Sequence, residues 1–345
     1  MQLIEKNNEK TYFLDFLRVL SCLAIIFLHV QHTAAVDDQT INSTIRANLN
    51  FVLTNLQWAV PMFFMISGYI FLGVKKECTY RSMLKHYVKL ALIIIFVYTF
   101  FNIIELFYAE KRFTLDLFIK SIIKTISGKS WDHLWFIYSI FAIYLVMPVF
   151  KLFYDKADYN LDIFIFLSFL FIYLIPTINK YLPIKIGIEY IFGWKTFYVF
   201  LGGYFAKRKV PNLPINNLIM FALIVLIAIL NFYSFYYLNN PFMSYSNRFL
   251  VVFYTSLIFL LSINIFNNEN KFIHEMSKYT FSVYIYHVIF VHMMTKVLHI
   301  YPLRVNPFLN LIIAYVVITI ISFAFSMVLQ KIEGQVRGLI KMTNR

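Results

Sequence analysis

The sequence predicts an all-α fold, a polytopic membrane helix bundle of about ten transmembrane helices, and three observations support this. Of the 345 residues, 60% are hydrophobic and only 14% are charged, and the mean hydropathy is +0.69. The apolar residues fall into runs of about 20, the length that an α-helix needs to cross a bilayer. The connections are mostly short, so residues 1–345 are expected to form a single integral-membrane domain.

The apolar runs follow one another along the whole chain. They cover residues 14–34, 51–72, 86–108, 132–151, 161–178, 187–206, 215–238, 248–266, 280–299 and 308–330. The sixth run is the weakest, because Glu189 and Lys195 interrupt it. A cleaved signal peptide is the alternative for the first run, but the histidine within it and the nine runs that follow favour a retained helix.

The positive charge of the chain is better explained by membrane topology than by nucleic-acid binding. The net charge is +14, and most Lys and Arg lie in short segments between apolar runs. Successive connections alternate between the two sides of the membrane. The side that holds both ends of the chain has more Lys and Arg than the other side, which predicts that both termini are cytoplasmic. No basic and aromatic pattern stands apart from the runs, so we expect no nucleic-acid partner.

One outer connection, residues 109–130, is expected to form an amphipathic helix on the outer membrane surface. Its apolar residues recur at helical spacing: Leu115, Phe118, Ile119, Ile122, Ile123 and Ile126. Lys120 and Lys124 fall between them, and a helix with an apolar face and a basic face is typical of a membrane interface.

The first predicted helix carries a stripe of polar residues along one face. Arg18 and His29 are eleven positions apart, and eleven steps of about 100° return to within about 20° of the starting direction. The same face also holds Asp15, Ser21, Cys22 and His32. Ionisable residues inside a membrane helix are costly and mark functional paths. The alternative is that Arg18 anchors the helix at the headgroups and His29 packs between helices.

These residue types suit acid–base chemistry on a phosphate-bearing substrate. A neutral imidazole at His29 can take a proton from a hydroxyl and return it. Arg18 can bind phosphate through two parallel hydrogen bonds, and Asp15, three positions earlier, can pair with it. The cysteines, Cys22 and Cys78, lack the spacing of a metal site, so no metal is expected.

Five segments, in order, resemble the membrane-bound acyltransferase 3 family. They are LDFLRVLSCLAIIFLHV (14–30), AVPMFFMISGYIF (59–71), HLWFIYSIFAIYLVMP (133–148), FLGGYFAKR (200–208) and FSVYIYHVIFV (281–291). The first contains an Arg and a His separated by ten residues, which is the hallmark of the family. The likeness runs from residue 12 to about residue 330.

The resemblance implies a multi-pass O-acyltransferase of the plasma membrane, with His29 and Arg18 as its essential residues. It implies acyl-CoA, most simply acetyl-CoA, as a co-substrate and no bound cofactor. The acceptor is expected to be a hydroxyl of a cell-surface or cell-wall glycan or of its lipid-linked precursor. The chain lacks the outer hydrolase-like domain of larger members, so it resembles the short, stand-alone type. It either completes the transfer itself or passes the acyl group to a partner acyltransferase outside.

Two lysines are candidate donor-binding residues beside Arg18. Lys85 and Lys89 occupy positions where Arg is common in the family, so the contacts to the donor are expected to differ in detail. The alternative is that these lysines only orient the neighbouring helix.

Further residues are candidates for the acceptor site. His133 and Trp135 are expected to line an acceptor sugar, with a belt of interfacial aromatic residues as the alternative. Ser67 and Tyr69 flank Gly68, so this step is either a close helix contact or a source of hydroxyls near the acyl group.

Two other histidines extend the set of candidates. His32 lies one turn beyond His29 and is expected to prolong the stripe towards the acceptor side. His287 lies within the ninth apolar run, and an interhelical hydrogen bond is as compatible with its position as a role in the site.

Two other classes of function stay open from the sequence. A transporter or flippase for a lipid-linked glycan would also carry a polar stripe, but such proteins usually show paired inverted halves, and no such symmetry is visible. A non-catalytic scaffold in wall synthesis would keep its function when His29 is replaced by alanine.

Overall fold

The computed structural model describes residues 12–38, 40–74, 77–128, 131–175, 193–208, 216–238, 243, 248–266 and 268–343. Across these residues the chain is helical, which confirms the all-α prediction. The α-helices are α1 (Tyr12–Asp37), α2 (Ser43–Asn55), α3 (Ala59–Gly68), α4 (Tyr80–Leu92), α5 (Thr99–Glu110), α6 (Leu115–Ile126), α7 (Trp135–Lys156), α8 (Asp158–Phe169), α9 (Trp194–Lys207), α10 (Asn217–Tyr236), α11 (Phe249–Ile265), α12 (Lys271–His292) and α13 (Pro307–Thr343). Several continue into π-helical turns: Tyr69–Val74 after α3, Ile93–Tyr98 between α4 and α5, Leu170–Leu174 after α8, and Met293–Val297 after α12.

Six stretches of the described chain are long and apolar enough to cross a membrane. They are Tyr12–Asp37, Ser43–Val74, Tyr80–Glu110, Trp135–Lys156, Asn217–Tyr236 and Pro307–Gln335. The protein is therefore a multi-pass membrane protein. Helix α11 is apolar but has only 17 residues, and the first turns of α12 carry Lys271, Glu275 and Lys278. The start of the sixth predicted run lies outside the described residues. Ten crossings with both termini cytoplasmic stay a prediction.

The second predicted run is broken where the sequence pattern showed one continuous helix. Helix α2 begins at Ser43, with the side chain of Asn42 accepting a hydrogen bond from the Thr44 N–H, and it ends at Asn55. Helix α3 starts at Ala59. Pro61 explains the break, because proline has no N–H to donate to the carbonyl four residues earlier, but it fits well in the first turn of a new helix.

Helix α6 confirms the helix predicted between residues 109 and 130. It begins after Thr114, whose side chain accepts a hydrogen bond from the Leu117 N–H. Its hydroxyl side is buried, and Asn102 of α5 donates a 3.0 Å hydrogen bond to Thr125. Its apolar side faces outward, with Leu115, Phe118, Ile119, Ile123 and Ile126 all exposed. Its position on the outer membrane surface stays a prediction.

The chain forms two compact units, and their boundary within α3 falls between Phe63 and Phe64. The first unit comprises Met1–Phe63, Tyr173–Ile186 and Val210–Arg345. In it, α1 packs against α2, α11, α12 and α13. Its core includes Cys22, Ile26, Val30 and Ala34, which recur every fourth residue along α1. This spacing places them on one side of the helix.

The second unit comprises Phe64–Ile172 and Gly187–Lys209. In it, the end of α3 crosses α9 with the two backbones in direct contact. A Cβ atom added to Gly68 would lie 1.8 Å from the carbonyl oxygen of Val199, and one added to Gly202 would lie 2.0 Å from that of Met65. Both positions therefore require glycine, as at other helix crossings in membranes. The interpretation of Gly68 as a close helix contact is confirmed.

Candidate functional site

Asp15 joins the beginning of α1 to the beginning of α12 in the first unit. Its Oδ1 accepts a 2.6 Å hydrogen bond from Nη1 of Arg18 and a 2.9 Å hydrogen bond from the Ser277 hydroxyl. Its Oδ2 lies 2.8 Å from Nδ1 of His274. The predicted Asp15–Arg18 pair is therefore present, and one carboxylate orients an arginine, a histidine and a serine together.

The Asp15–Arg18 pair is largely shielded. The side chains of Arg18 and Asp15 are only 12% and 14% exposed. Beside Asp15 lies a cavity of about 200 Å³, whose wall also includes Tyr12, Phe16, Glu269 and His274. A charged pair at such a place is held more firmly than one on an open surface, because water screens it less. Asp15 thus lines a cavity and at the same time holds Arg18, which is not part of the cavity wall.

The middle of α1 carries the rest of the predicted stripe. Ser21 and Cys22 are buried, and the Cys22 thiol lies 3.6 Å from the carbonyl oxygen of Thr280 on α12. Further along, the ring of His29 lies 5.1 Å from that of His287 on α12, with an angle of 53° between the ring planes. The stripe therefore follows α12 from Asp15 to His29.

His287 is completely buried and oriented by its own helix. Its Nδ1 lies 3.0 Å from the carbonyl oxygen of Val283. A carbonyl only accepts hydrogen bonds, so Nδ1 carries the proton and Nε2 of the neutral ring is the acceptor. The sequence left open whether His287 forms an interhelical contact or part of the site. The structure places its ring against that of His29.

The far end of α1 is polar and more open. His32, the predicted extension of the stripe, is exposed. Asp38 follows α1 and is 1% exposed. It accepts hydrogen bonds from the Thr40 hydroxyl (2.6 Å) and from Nε of Arg304 (3.2 Å). Burial raises the pKa of Asp38, but the hydrogen bonds from Thr40 and Arg304 and the charge of Arg304 outweigh burial, so its pKa lies below the usual value.

The second unit holds the other predicted site residues. The Ser67 hydroxyl lies 3.2 Å from the Tyr144 hydroxyl, which is on α7. Tyr69 begins the π-helical turn that follows Gly68 and is half-buried. The two predicted hydroxyls of this step are therefore present next to the glycine contact, and Tyr144 adds a third.

His133 and Trp135 are adjacent in sequence but differ in environment. His133 is buried, with its ring 5.9 Å from that of Phe101 and 6.3 Å from that of Trp131. Trp135 is 40% exposed, and its ring lies 6.1 Å from that of Trp194 on α9. Of the two, Trp135 has the surface that a sugar could contact.

Lys85 and Lys89 lie one turn apart on α4 and are both exposed. Such a pair is accessible to a phosphate-bearing donor, and it is equally suited to lipid headgroups. Their role in donor binding stays a prediction.

Sequence reasoning missed two partners of Asp15. His274 and Ser277 are 259 and 262 positions from Asp15. Their spacing of three places them on one face of α12, and this was the only signal in the sequence that linked them. Tyr144 was missed as well, because it lies within an apolar run that looks like ordinary packing.

Comparison with known proteins identifies a family. The model of acyltransferase family 3, described as an acyltransferase domain, matches residues 11–329. The match includes Arg18 and His29 and extends over residues of both units. No curated protein and no solved structure is detectably similar to the chain.

Proposed function

Because this chain belongs to acyltransferase family 3 and is a multi-pass membrane protein, we propose that it is an O-acyltransferase of the plasma membrane with acyl-CoA as its donor. Acetyl is the simplest acyl group, and the acceptor is a hydroxyl of a cell-surface or cell-wall glycan or of its lipid-linked precursor. The observation that carries the proposal is the pairing of α1 with α12, which holds Arg18 near one end and His29 further along the same face.

Arg18 and His29 have separate tasks in this proposal. Arg18, oriented by Asp15, binds a phosphate of acyl-CoA at the cytoplasmic end. Lys85 and Lys89, exposed on α4 of the second unit, stay separate candidates for donor binding. Eleven residues of α-helix span about 16 Å, so His29 lies about 16 Å along α1 from Arg18, at a position where it is half-buried. A donor whose phosphates and thioester are joined by a long flexible arm suits two groups at this separation.

The transfer is an acyl substitution in which His29 acts as general base. The imidazole takes the proton from the acceptor hydroxyl, and the hydroxyl oxygen attacks the thioester carbonyl. The new C–O bond forms as the C–S bond breaks, and the sulfur of CoA takes up the proton that His29 held. His287, with its proton fixed on Nδ1, positions His29 within the helix pair.

The proposal is tested by transfer of label from radiolabelled acetyl-CoA. Purified protein in lipid nanodiscs is mixed with a glycan and lipid fraction from its own membranes, and both labelled product and released CoA are measured. His29→Ala and Arg18→Ala are expected to lose transfer. The matched controls are His299→Asn and Arg112→Ala, because both residues are exposed and lie outside the helices. Both controls are expected to retain transfer.

The outcomes separate the three classes of function. Loss of transfer and CoA release in both site variants supports the acyltransferase and both assigned roles. Equal transfer in all variants removes His29 and Arg18 from the mechanism. If the wild type releases no CoA with acetyl-CoA or succinyl-CoA, the acyltransferase is rejected in favour of an exporter or a scaffold.

A further inference from the structure

Two tryptophans and a lysine form an open cluster in the second unit. The Nζ of Lys195 lies 4.6 Å from the centre of the Trp135 ring and 5.8 Å from that of Trp194. Lys195 also donates a 2.7 Å hydrogen bond to the Ser139 hydroxyl. Trp135 and Ser139 are one turn apart on α7, and Trp194 and Lys195 begin α9. The cluster is therefore built from the starts of two helices that the predicted topology places on the outer side.

The positive charge of this cluster has no carboxylate partner among the described residues. Lys124 and Lys151, in the same unit, each lie 2.7 Å from a carboxylate oxygen. Lys195 is partly buried, and the contacts it makes with described side chains are to two aromatic rings and a hydroxyl. The faces of aromatic rings attract a cation, but they do not neutralise its charge as an anion does. An anion placed beside Lys195 would therefore be bound favourably.

The rest of the cluster suits a sugar. Trp135 is 40% exposed, so part of its indole is open to a ligand. Flat aromatic rings pack against the C–H face of a pyranose, and the indole N–H can donate to ring substituents. The Ser139 hydroxyl donates to the Trp135 carbonyl oxygen and accepts from Lys195, so its second lone pair is left to accept from a sugar hydroxyl. An ammonium, an aromatic face and a hydroxyl within one small area match a sugar that carries a negative charge.

We propose that Trp135, Ser139, Trp194 and Lys195 form a subsite for an anionic sugar of the acceptor. The charge recognised by Lys195 is either a carboxylate on the sugar ring or the phosphate that joins the sugar to a lipid. This inference rests on the proposed function, since it names the chemical class of the acceptor. The contrasting role for Lys195 is a lysine that only anchors α9 at the membrane interface, which predicts no preference between charged and neutral sugars.

The test measures binding without any acyl donor. Protein in lipid nanodiscs is titrated with methyl β-D-glucuronide, α-D-glucose 1-phosphate and the neutral methyl β-D-glucoside. Binding is followed by tryptophan fluorescence and by saturation-transfer NMR, so that a ligand that leaves the fluorescence unchanged is still detected. The variants are Lys195→Met, which keeps a similar stem without the charge, and Lys195→Arg, which keeps the charge. Lys120→Met on α6 is the control for removal of a lysine.

We expect at least one charged sugar to bind at least about tenfold more tightly than the glucoside, the value of one charge-assisted hydrogen bond. Lys195→Met should abolish this preference, and Lys195→Arg and Lys120→Met should retain it. Preference for the glucuronide alone identifies a ring carboxylate, and preference for the 1-phosphate alone identifies the linking phosphate. Equal binding of all three sugars, no binding of any, or a preference that persists in Lys195→Met overturns the proposal.

This result is independent of the chemistry proposed for His29. If Lys195-dependent binding is found but no acetyl transfer occurs, the subsite stands and the acyltransferase reaction fails. If transfer occurs without Lys195-dependent binding, only the anionic subsite is rejected. A variant that loses its single peak in size-exclusion chromatography is misfolded. If Lys195→Met is misfolded in this sense, the same binding measurements on Lys195→Arg and on Trp135→Phe decide the question.

Discussion

The hydroxyl of Ser277 donates a 2.9 Å hydrogen bond to the carboxylate of Asp15, across 262 positions of sequence. This bond and the contact of the same carboxylate with His274 attach the start of α12 to the start of α1. Asp15 also holds Arg18, so the orientation of the proposed donor-binding arginine depends on two helices.

Asp15→Asn is expected to impair use of the donor. The variant keeps the shape of the side chain but removes the charge that orients Arg18, and hydrogen bonds to charged groups are worth about 1.5–3 kcal/mol. We expect kcat/KM for acetyl-CoA to fall about tenfold or more. Ser277→Ala, which removes one hydrogen bond from a neutral donor, should have a smaller effect. Tighter binding of CoA with full turnover in Asp15→Asn would show instead that Asp15 masks Arg18.

His287→Phe is expected to lower kcat and leave KM for acetyl-CoA unchanged. The substitution keeps an aromatic ring beside His29 but removes the imidazole and its bond to Val283. A residue that positions the general base acts on the chemical step, so we expect a fall of about tenfold in kcat. Tyr286→Phe, on the same helix, is the control. A rise in KM at constant kcat would place His287 in donor binding instead.

Gly68→Ala and Gly202→Ala are each expected to destabilise the second unit. The added methyl group would meet a backbone carbonyl that cannot move aside, and overpacking of this kind costs about 1–3 kcal/mol. The measurement is the temperature at which the monodisperse peak in size-exclusion chromatography is half lost. The control is Gly334→Ala, because Gly334 is exposed in α13 with nothing near its missing Cβ, and alanine is the better helix former. A fall with Gly334→Ala equal to that of the other two would contradict the crossing of α3 and α9.

The contribution of Asp38 to stability is expected to depend on pH. Its pKa is lower in the folded protein than in the unfolded chain, so its stabilising effect is present above about pH 4 and disappears as pH falls through the folded pKa. At pH 7, Asp38→Asn should lower the free energy of unfolding by about 1–2 kcal/mol. The difference between the melting temperatures of the two proteins should narrow as the pH falls from 7 to 3. A constant difference across this range would mean that the carboxylate charge plays no part.

Local periodicity allowed part of the site to be predicted. The common face of Arg18 and His29 and the Asp15–Arg18 pair follow from helix geometry within one segment. The partners on α12 depend on tertiary packing over more than 250 positions, and no pattern in a single sequence encodes that packing.

Lys195 and the break before α3 differ in how much a single sequence reveals about them. Lys195 looked like an interruption of a membrane helix, because its neighbours on α7 were invisible in the sequence. By contrast, the break before α3 had a local signal in Pro61, which could have been used. The effect of a proline is local in sequence, whereas the role of a partly buried lysine depends on residues that only the folded structure brings next to it.

Helix α6 is inverted by the standards of a water-soluble protein, with hydroxyl groups turned inward and hydrocarbon outward. If α6 lies on the membrane surface as predicted, lipid is a structural component at this face, much as a neighbouring subunit would be. If that shell is stripped away, the outward side chains have only one another to cover them, and copies of the protein will associate there. A face that suits a bilayer is thus also one at which the isolated protein is prone to aggregate.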